Sequence, residues 1–157
     1  MYWRLSRKAY EAGKGRLNKS KMKMLADSGQ PLGIIAYRDT RPVGWCSISP
    51  RKSLERLKTS RYFKPVDDAD VWSITCLYVH PGQRRKGLSA ELIRKACSYA
   101  EALGAGTIES YPLVPSDESV PDVFAWVGFA NTFEQAGFRE VTRPSGSRSY
   151  MRYRLTE

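Results

Sequence analysis

A nearly unbroken apolar run lies at the centre of the chain. Val71 to Val79 contains β-branched and aromatic residues and no charge, which predicts a strand covered on both faces. His80-Pro81-Gly82 ends this strand. After a short basic loop, apolar residues recur every three or four positions and predict a helix that stops at Gly104 and Gly106. The apolar positions of that helix are Leu88, Leu92, Ala96, Ala100 and Leu103.

Weaker patterns on both sides of this centre predict the other elements. The N-terminal part predicts a helix at Leu17–Asp27, hairpin strands at Leu32–Tyr37 and Val43–Ser49, a short helix within Pro50–Thr59 and a polar loop at Ser60–Asp70. The C-terminal part predicts a strand at Thr107–Tyr111, a proline-stiffened loop at Pro112–Asp122, irregular structure that becomes a helix at Val123–Ala136, a strand at Phe138–Thr142, a turn at Arg143–Ser147 and a last strand at Ser149–Leu155. Short turns join most strands and a helix crosses over at the centre. We therefore expect an α/β (α+β) fold with a mixed, mostly antiparallel sheet of about six or seven strands flanked by helices.

Length and composition indicate one globular domain. The 157 residues, 41% of them hydrophobic, are enough for a proper core. No apolar run approaches the ~20 residues of a membrane span, and no apolar segment follows the basic N-terminus as in a signal peptide. We expect a single cytoplasmic domain over residues 1–157, with residues 1–30 as an atypical basic segment.

Cysteine and histidine content argues against a metal site. Cys46, Cys76 and Cys97 show no C-x-x-C spacing, and three cysteines cannot all pair. Cys76 and Cys97 stand in apolar contexts and are expected to be small buried residues. His80 is the sole histidine. We expect no metal.

Positive charge is concentrated at the N-terminus. The net charge is +10, and residues 1–23 hold eight cations against Glu11 alone. A basic arm can bind nucleic acid or acidic partners. A solvated, mobile terminus is the commoner role and the one we expect, with nucleic-acid binding kept as the alternative.

The loop between the central strand and helix has the character of an anion site. The first turn of a helix leaves backbone N–H groups without partners, and the helix dipole adds positive potential there. Gly87 lacks a Cβ and lets a phosphate approach the backbone, while Ser89 adds a small hydroxyl donor. Arg84, Arg85 and Lys86 add charge. Neither a P-loop nor a G-x-G-x-x-G fingerprint is present.

This loop resembles a known motif. Arg84, Gly87 and Ser89 follow a strand of the form Leu77-x-Val79-x-Pro81. The arrangement is similar to the pyrophosphate-binding motif of the acyl-CoA N-acyltransferase (GNAT) superfamily, Gln/Arg-x-x-Gly-x-Gly/Ala. Ser89 departs from the usual glycine or alanine but is still small.

A second stretch agrees with the resemblance. Phe133 to Phe138 reads Phe-Glu-Gln-Ala-Gly-Phe, similar to the Tyr-Glu-Lys-x-Gly-Phe run of that family. The likeness covers Leu32 to Leu155. The family normally begins with a strand and two helices. Either Tyr2 to Leu5 is a remnant of that first strand, or the chain begins late.

The resemblance implies an N-acetyltransferase that uses acetyl-CoA (coenzyme A) as co-substrate. An amine of a small molecule or protein would attack the thioester directly, and relatives are often homodimers. Backbone groups of the central strand would bind pantetheine, and the basic loop would hold the phosphates. The implied cofactor-binding residues are Leu77, Tyr78, Val79, Arg84, Arg85, Lys86, Gly87, Leu88 and Ser89.

The proton donor expected from the resemblance is missing. Family members often carry a tyrosine at the position of Phe133 that protonates the departing thiolate. A thiol of pKa ~8.5 leaves tolerably without an acid. Tyr111 is our substitute acid and Tyr78 the second choice. An acyl-CoA-binding module without turnover is the alternative that Phe133 motivates.

Candidate bases lie near the same acid. Glu109 is two residues from Tyr111 and shares its strand face, although an exposed or ion-paired carboxylate is the plainer interpretation. Asp67 and Asp68 stand at the entrance of the central strand, and water is a further alternative. Cys46 as an acyl carrier is disfavoured, since no histidine is available to activate it.

Overall fold

A computed structural model describes residues 1–114 and 122–155. Its strands form one six-stranded sheet in the order β1-β2-β3-β4-β6-β5. They are β1 (Gly33–Arg38), β2 (Arg41–Pro50), β3 (Trp72–Val79), β4 (Thr107–Ser110), β5 (Arg139–Ser145) and β6 (Arg148–Arg154). Only β3 and β4 pair in parallel, so the predicted mixed and mostly antiparallel sheet is confirmed.

Helices cover both faces of this sheet. They are α1 (Arg7–Ala12), α2 (Arg16–Asp27), α3 (Glu55–Lys58), α4 (Leu88–Glu101) and α5 (Ala130–Gln135), with 3-10 turns at Tyr2–Arg4, Arg51–Ser53, Pro81–Gln83 and Asp122–Val127. The apolar stripe of α4, including Leu92, Ile93 and Ala96, is buried against the sheet together with α5. The 3-10 turn at Tyr2–Arg4 and α3 pack over the opposite face.

The centre of the sheet opens where its two parallel strands separate. Their register ends with the pair Ile74 and Ser110, while β3 continues to Val79. On its other side, β3 follows β2 with a bulge between Ser47 and Ile48. A bulge bends a strand and increases its local twist. The C-terminal half of β3 therefore presents an edge that β4 does not cover.

Most predicted elements are confirmed, with differences at the ends. The predicted turn Arg143–Ser147 is shorter, because β5 extends to Ser145 and pairs there with Arg148. The single short helix expected within Pro50–Thr59 is a 3-10 turn followed by α3. Of the predicted loop Pro112–Asp122, residues 115–121 lie outside the described residues.

Part of the N-terminal segment differs from our expectations. Tyr2–Arg4 is a 3-10 turn rather than a strand remnant, and α1 follows it, whereas α2 confirms the helix predicted at Leu17–Asp27. Packing explains this order. The ring of Trp3 lies 6.5 Å from those of Phe63 and Tyr111, and Arg4 donates a hydrogen bond to Ser49 Oγ. The cations of α2 remain mostly exposed.

None of the helices in the described part of the chain has the length and apolarity to cross a bilayer. Within the same residues, His, Cys, Asp and Glu form no group of three or more that could hold a metal ion. Cys46 and Cys97 are buried free thiols, whereas Cys76 is half-buried.

Candidate active site

A cleft of about 830 Å³ opens beside the free edge of β3. Eight of the nine predicted cofactor-binding residues line it; they are Leu77, Tyr78, Val79, Arg84, Arg85, Gly87, Leu88 and Ser89. Lys86 does not line the cleft, and its Nζ donates to the carbonyl oxygen of Gly82 at 2.9 Å. Residues from one continuous stretch of sequence therefore form one wall.

The phosphate loop, Arg84–Ser89, leads directly into the N-terminus of α4. Gly87 is the N-cap residue with φ +79°, and a Cβ placed there would meet no atom within 4 Å. Its backbone is therefore approachable from solvent. Arg84 Nε donates to the carbonyl oxygen of Val79 at 3.1 Å, which ties the loop to the end of β3. Arg85 also has a positive φ, +59°, and is exposed.

The opposite wall comes from the residues that precede and begin α5. Trp126, Gly128, Phe129, Thr132 and Gln135 line this side. Phe133 is fully buried behind them. A Cβ on Gly128 would lie 2.8 Å from the Phe133 ring and 2.9 Å from Leu77, so only glycine allows this close approach. The sequence analysis had assigned no role to this wall.

On the other sheet face, beside the same strand separation, five polar residues form a buried group that we call the Glu109 cluster. It consists of Arg51, Ser73, Glu109, Tyr111 and Tyr150. The Glu109 carboxylate is fully buried, pairs with Arg51 and accepts hydrogen bonds from both tyrosine hydroxyls. Ser73 Oγ donates to it at 3.0 Å. Glu109 and Tyr111 do share a face, as predicted, and the carboxylate is ion-paired rather than exposed.

The Tyr111 side chain points away from the cleft. Its hydroxyl lies 2.6 Å from Arg51 Nη1 and 3.3 Å from Ser73 Oγ, and Ser73 precedes the last β3–β4 pair. Burial, and then the Glu109 charge, raise the pKa of Tyr111 well above its ordinary value. Tyr78, by contrast, lines the cleft and is 50% exposed. The second-choice acid is thus the one that reaches the cleft.

The remaining candidates are removed from the cleft lining. Asp67 pairs with Arg152 at 3.0 Å, and this hydrogen bond lowers the pKa of the carboxyl group. Asp68 is exposed. Cys46 is fully buried under α4, and burial raises the pKa of its thiol well above the usual range.

Sequence reasoning missed three members of the Glu109 cluster. Arg51 directly follows β2 and Tyr150 lies within β6, 99 positions further along the chain, and Ser73 looked like an ordinary strand residue. No motif marks them. The available signal was the buried glutamate itself, which requires a cation and hydrogen-bond donors nearby.

The family model described as "Acetyltransferase (GNAT) family" matches residues 1–129. This chain belongs to the GNAT acetyltransferase family. The match includes the N-terminal segment, which the sequence resemblance from Leu32 onward had left out. No protein in the curated comparison matches the chain.

Solved structures agree on the fold. The ribosomal-protein-alanine N-acetyltransferase of Brucella melitensis is 16% identical, with a TM-score of 0.54 over 88% of this chain and 76% of that one. The PaiA N-acetyltransferase of Thermoplasma acidophilum, in complex with coenzyme A, is 16% identical with a TM-score of 0.57 over 96% and 80%. An acetyltransferase of Bacillus subtilis in complex with CoA is 15% identical with a TM-score of 0.51 over 87% and 86%.

Proposed function

We propose that this GNAT protein transfers an acetyl group from acetyl-CoA to an amine by direct attack. The observation that carries the proposal is the cleft beside the free edge of β3, which ends at the N-terminus of α4. Two of the similar structures contain CoA, and the residues present here suit such a molecule. The proposal covers the acyl donor and the reaction, and leaves the amine to be found.

The phosphate loop would hold the diphosphate of the co-substrate. Amides in the first turn of α4 have no helical partners and carry the positive end of the dipole. Open space around Gly87 allows phosphate oxygens to come within hydrogen-bonding distance of that backbone. Arg85 and Lys86 add positive charge beside it, and Ser89 adds a hydroxyl. This chemistry fits a diphosphate better than a neutral ligand.

The free edge of β3 would bind the pantetheine arm. Leu77 and Val79 lie beyond the last β3–β4 pair, so their β4-facing backbone groups can pair with amides of a ligand. The cleft wall formed by Trp126 and Phe129 supplies apolar contact on the other side. Together these groups orient the thioester at the point of strand separation, and positioning alone removes a large part of a bimolecular barrier.

Acetyl-CoA supplies a thioester carbonyl that an amine can attack. We assign Tyr78 as the proton donor to the departing sulfur, because this residue lines the cleft and is half exposed. Phe133 cannot donate a proton. We assign Tyr111 and Glu109 to positioning, since their hydrogen bonds are made to each other and to Arg51. Water is then the acceptor of the amine proton.

Acetyl-CoA binding and CoA release test the proposal separately. Calorimetry should detect acetyl-CoA binding, and a thiol-detecting assay with an amine panel should detect release that depends on the amine. Binding without amine-dependent release would support the binding module that Phe133 motivates. Absence of binding would refute the assignment of the cleft.

A further inference from the structure

Three arginines on the sheet face opposite α4 have no carboxylate partner among the residues that the structure describes. We call Arg4, Arg56 and Arg148 the arginine rim. All three are partly buried, and the oxygen atoms that they reach are neutral. Arg4 donates to Ser49 Oγ and to Leu32 O at 3.4 Å, Arg56 Nε to Leu5 O at 3.3 Å, and Arg148 Nη1 to Tyr111 O at 3.3 Å.

Other arginines on this face are compensated, which makes the rim unusual. Arg51 pairs with Glu109, and Arg152 pairs with Asp67. Among the described residues no carboxylate forms an ion pair with a rim arginine, and burial lowers the pKa of both Arg4 and Arg148. Arg56 Nη2 is buried and has no hydrogen-bond partner within the same residues. Burying an unpaired charge is costly, which makes these cations candidates for binding an anion.

Two arginines of the rim, Arg4 and Arg148, lie near the place where β3 and β4 separate. Arg148 binds the carbonyl oxygen of Tyr111, the residue after the last β4 pair. On the other side, Arg4 binds Ser49, which is the register partner of Ser73 on β3. The two guanidinium groups thus flank the end of the parallel pairing.

Aromatic rings connect the rim to the cleft. The Arg56 guanidinium lies 3.7 Å from the centre of the Tyr2 ring. That ring stands 5.4 Å from Trp126, which lines the cleft. Because α4 and α5 cover the other face of the sheet, we infer that an acceptor approaches a thioester in the cleft from the side of the rim.

We propose that the acceptor amine carries an anionic group, a carboxylate or a phosphate, which the arginine rim binds. This inference rests on the proposed acetyl transfer and narrows its substrate class. A guanidinium matches the two oxygens of such a group, and the rings of Tyr2 and Trp126 provide apolar contact for the rest of the molecule. In the reaction the amine nitrogen forms a bond to the acetyl carbon and loses a proton. The carbon–sulfur bond breaks, and the CoA sulfur takes up a proton.

Matched acceptor pairs test this class. One arm compares L-phenylalanine with L-phenylalaninamide, and the other compares O-phosphoethanolamine with ethanolamine. We expect kcat/KM to favour the anionic member of at least one pair, and Arg148→Gln to reduce that preference about tenfold to a hundredfold, as loss of a charged hydrogen bond does. The comparison between variant and wild type cancels differences in amine reactivity.

Two further variants separate recognition from folding. Arg148→Lys keeps the positive charge but lacks the planar guanidinium group with its paired N–H donors. It should therefore retain part of the preference for the anionic amine. Arg139→Gln removes the same charge from an exposed position of β5 and should leave the preference unchanged. A purely structural role of Arg148 would lower stability and both rates together. Equal use of anionic and neutral amines, or a preference that Arg148→Gln leaves intact, would overturn the inference.

A binding arm keeps the two proposals distinguishable. Calorimetry with the anionic products N-acetyl-L-phenylalanine and N-acetyl-O-phosphoethanolamine, and with the uncharged N-acetyl-L-phenylalaninamide and N-acetylethanolamine, needs no turnover. Suppose that acetyl-CoA binds but no amine reacts. If the protein then binds the anionic ligands more tightly than the uncharged ones, and Arg148→Gln reduces this preference, anion binding by the rim is supported and only the proposed transfer reaction fails. If the protein binds neither anionic ligand more tightly, the inference fails whether or not acetyl-CoA binds.

Discussion

The cleft and the Glu109 cluster lie on either side of one strand separation, and they are built in opposite ways. The phosphate-loop wall of the cleft comes from one continuous stretch, is open to solvent and relies on backbone groups. The cluster draws side chains from residues as far apart as Arg51 and Tyr150, and its carboxylate has no exposed surface. Both share β3, through Leu77 on one side and Ser73 on the other.

The difference indicates that the cleft can bind and release a ligand, whereas the Glu109 cluster has a structural role. An open backbone site can change its occupant without unfolding, because water replaces the ligand. A buried carboxylate cannot exchange its partners for water and so remains tied to Arg51. We infer that the cluster keeps the strands apart at a set place while the cleft receives the co-substrate. Four experiments test this division.

The largest expected effect is on stability, from Glu109→Ala. Removing one partner of a buried ion pair leaves Arg51 without its counterion, so the free energy of unfolding should fall by about 3–5 kcal/mol. Urea denaturation measures this. Glu134→Ala, at an exposed position of α5, should change it by less than about 0.5 kcal/mol. If Glu109→Ala lowers the free energy of unfolding no more than Glu134→Ala does, the cluster does not have this structural role.

The next effect concerns affinity, from Gly87→Glu. A carboxylate at this position would block and repel a diphosphate, and losing two charged hydrogen bonds corresponds to about a thousandfold in Kd. Calorimetry with acetyl-CoA measures it. Gly104→Glu is the matched control, because φ is +86° there, the space is also open and the site is just past the far end of α4. Equal affinity in both variants would show that the loop does not bind the phosphates.

Two tyrosine-to-phenylalanine changes should separate the regions directly. Tyr78→Phe should lower kcat about a hundredfold, at the low end for a general acid because a thiolate leaves readily, with little change in stability. Tyr111→Phe should lower the free energy of unfolding by about 1–2 kcal/mol and kcat less than tenfold. Steady-state kinetics and urea denaturation of both variants suffice. If Tyr111→Phe instead lowers kcat more than Tyr78→Phe does, Tyr111 is the general acid.

The smallest effect is pH-dependent and involves Asp67→Asn. Arg152 lowers the pKa of Asp67 in the folded protein, so the carboxylate stabilises the fold above its unfolded pKa of ~3.9 and loses this contribution as pH falls through the lower folded value. Because the Asp67 side chain is exposed to solvent, which screens its pair with Arg152, we expect only a small loss of stability at pH 7, and a still smaller one as the pH falls. Asp68→Asn is the exposed control. If the stability difference between Asp67→Asn and the wild-type protein grew as the pH fell, the predicted direction of the pH dependence would be wrong.

Elements with a strong local pattern were predictable. The apolar run of β3, the helical spacing of α4 and the glycine between them are local features, and local backbone preferences decide them. The N-terminal segment was misjudged because its contacts are remote. Trp3 is held by Phe63 and Tyr111, more than fifty positions away in sequence.

The same reasoning explains the division of the candidate site. The phosphate loop could be proposed from sequence, since a helix N-terminus after a basic glycine loop carries its chemistry in adjacent residues. That Tyr78 lines the cleft whereas Tyr111 is buried in the Glu109 cluster could not be predicted from sequence, because it depends on where β3 and β4 stop pairing.

Residues close together in the chain are enough to predict the order of strands and helices, the phosphate loop and the family resemblance. Folding then brings distant segments together: it buries Glu109 with Arg51, closes the cleft with α5, and leaves Arg4, Arg56 and Arg148 on one sheet face without carboxylate partners among the described residues. Those arrangements arise from packing between distant segments, and packing is a property of the folded chain rather than of any local pattern.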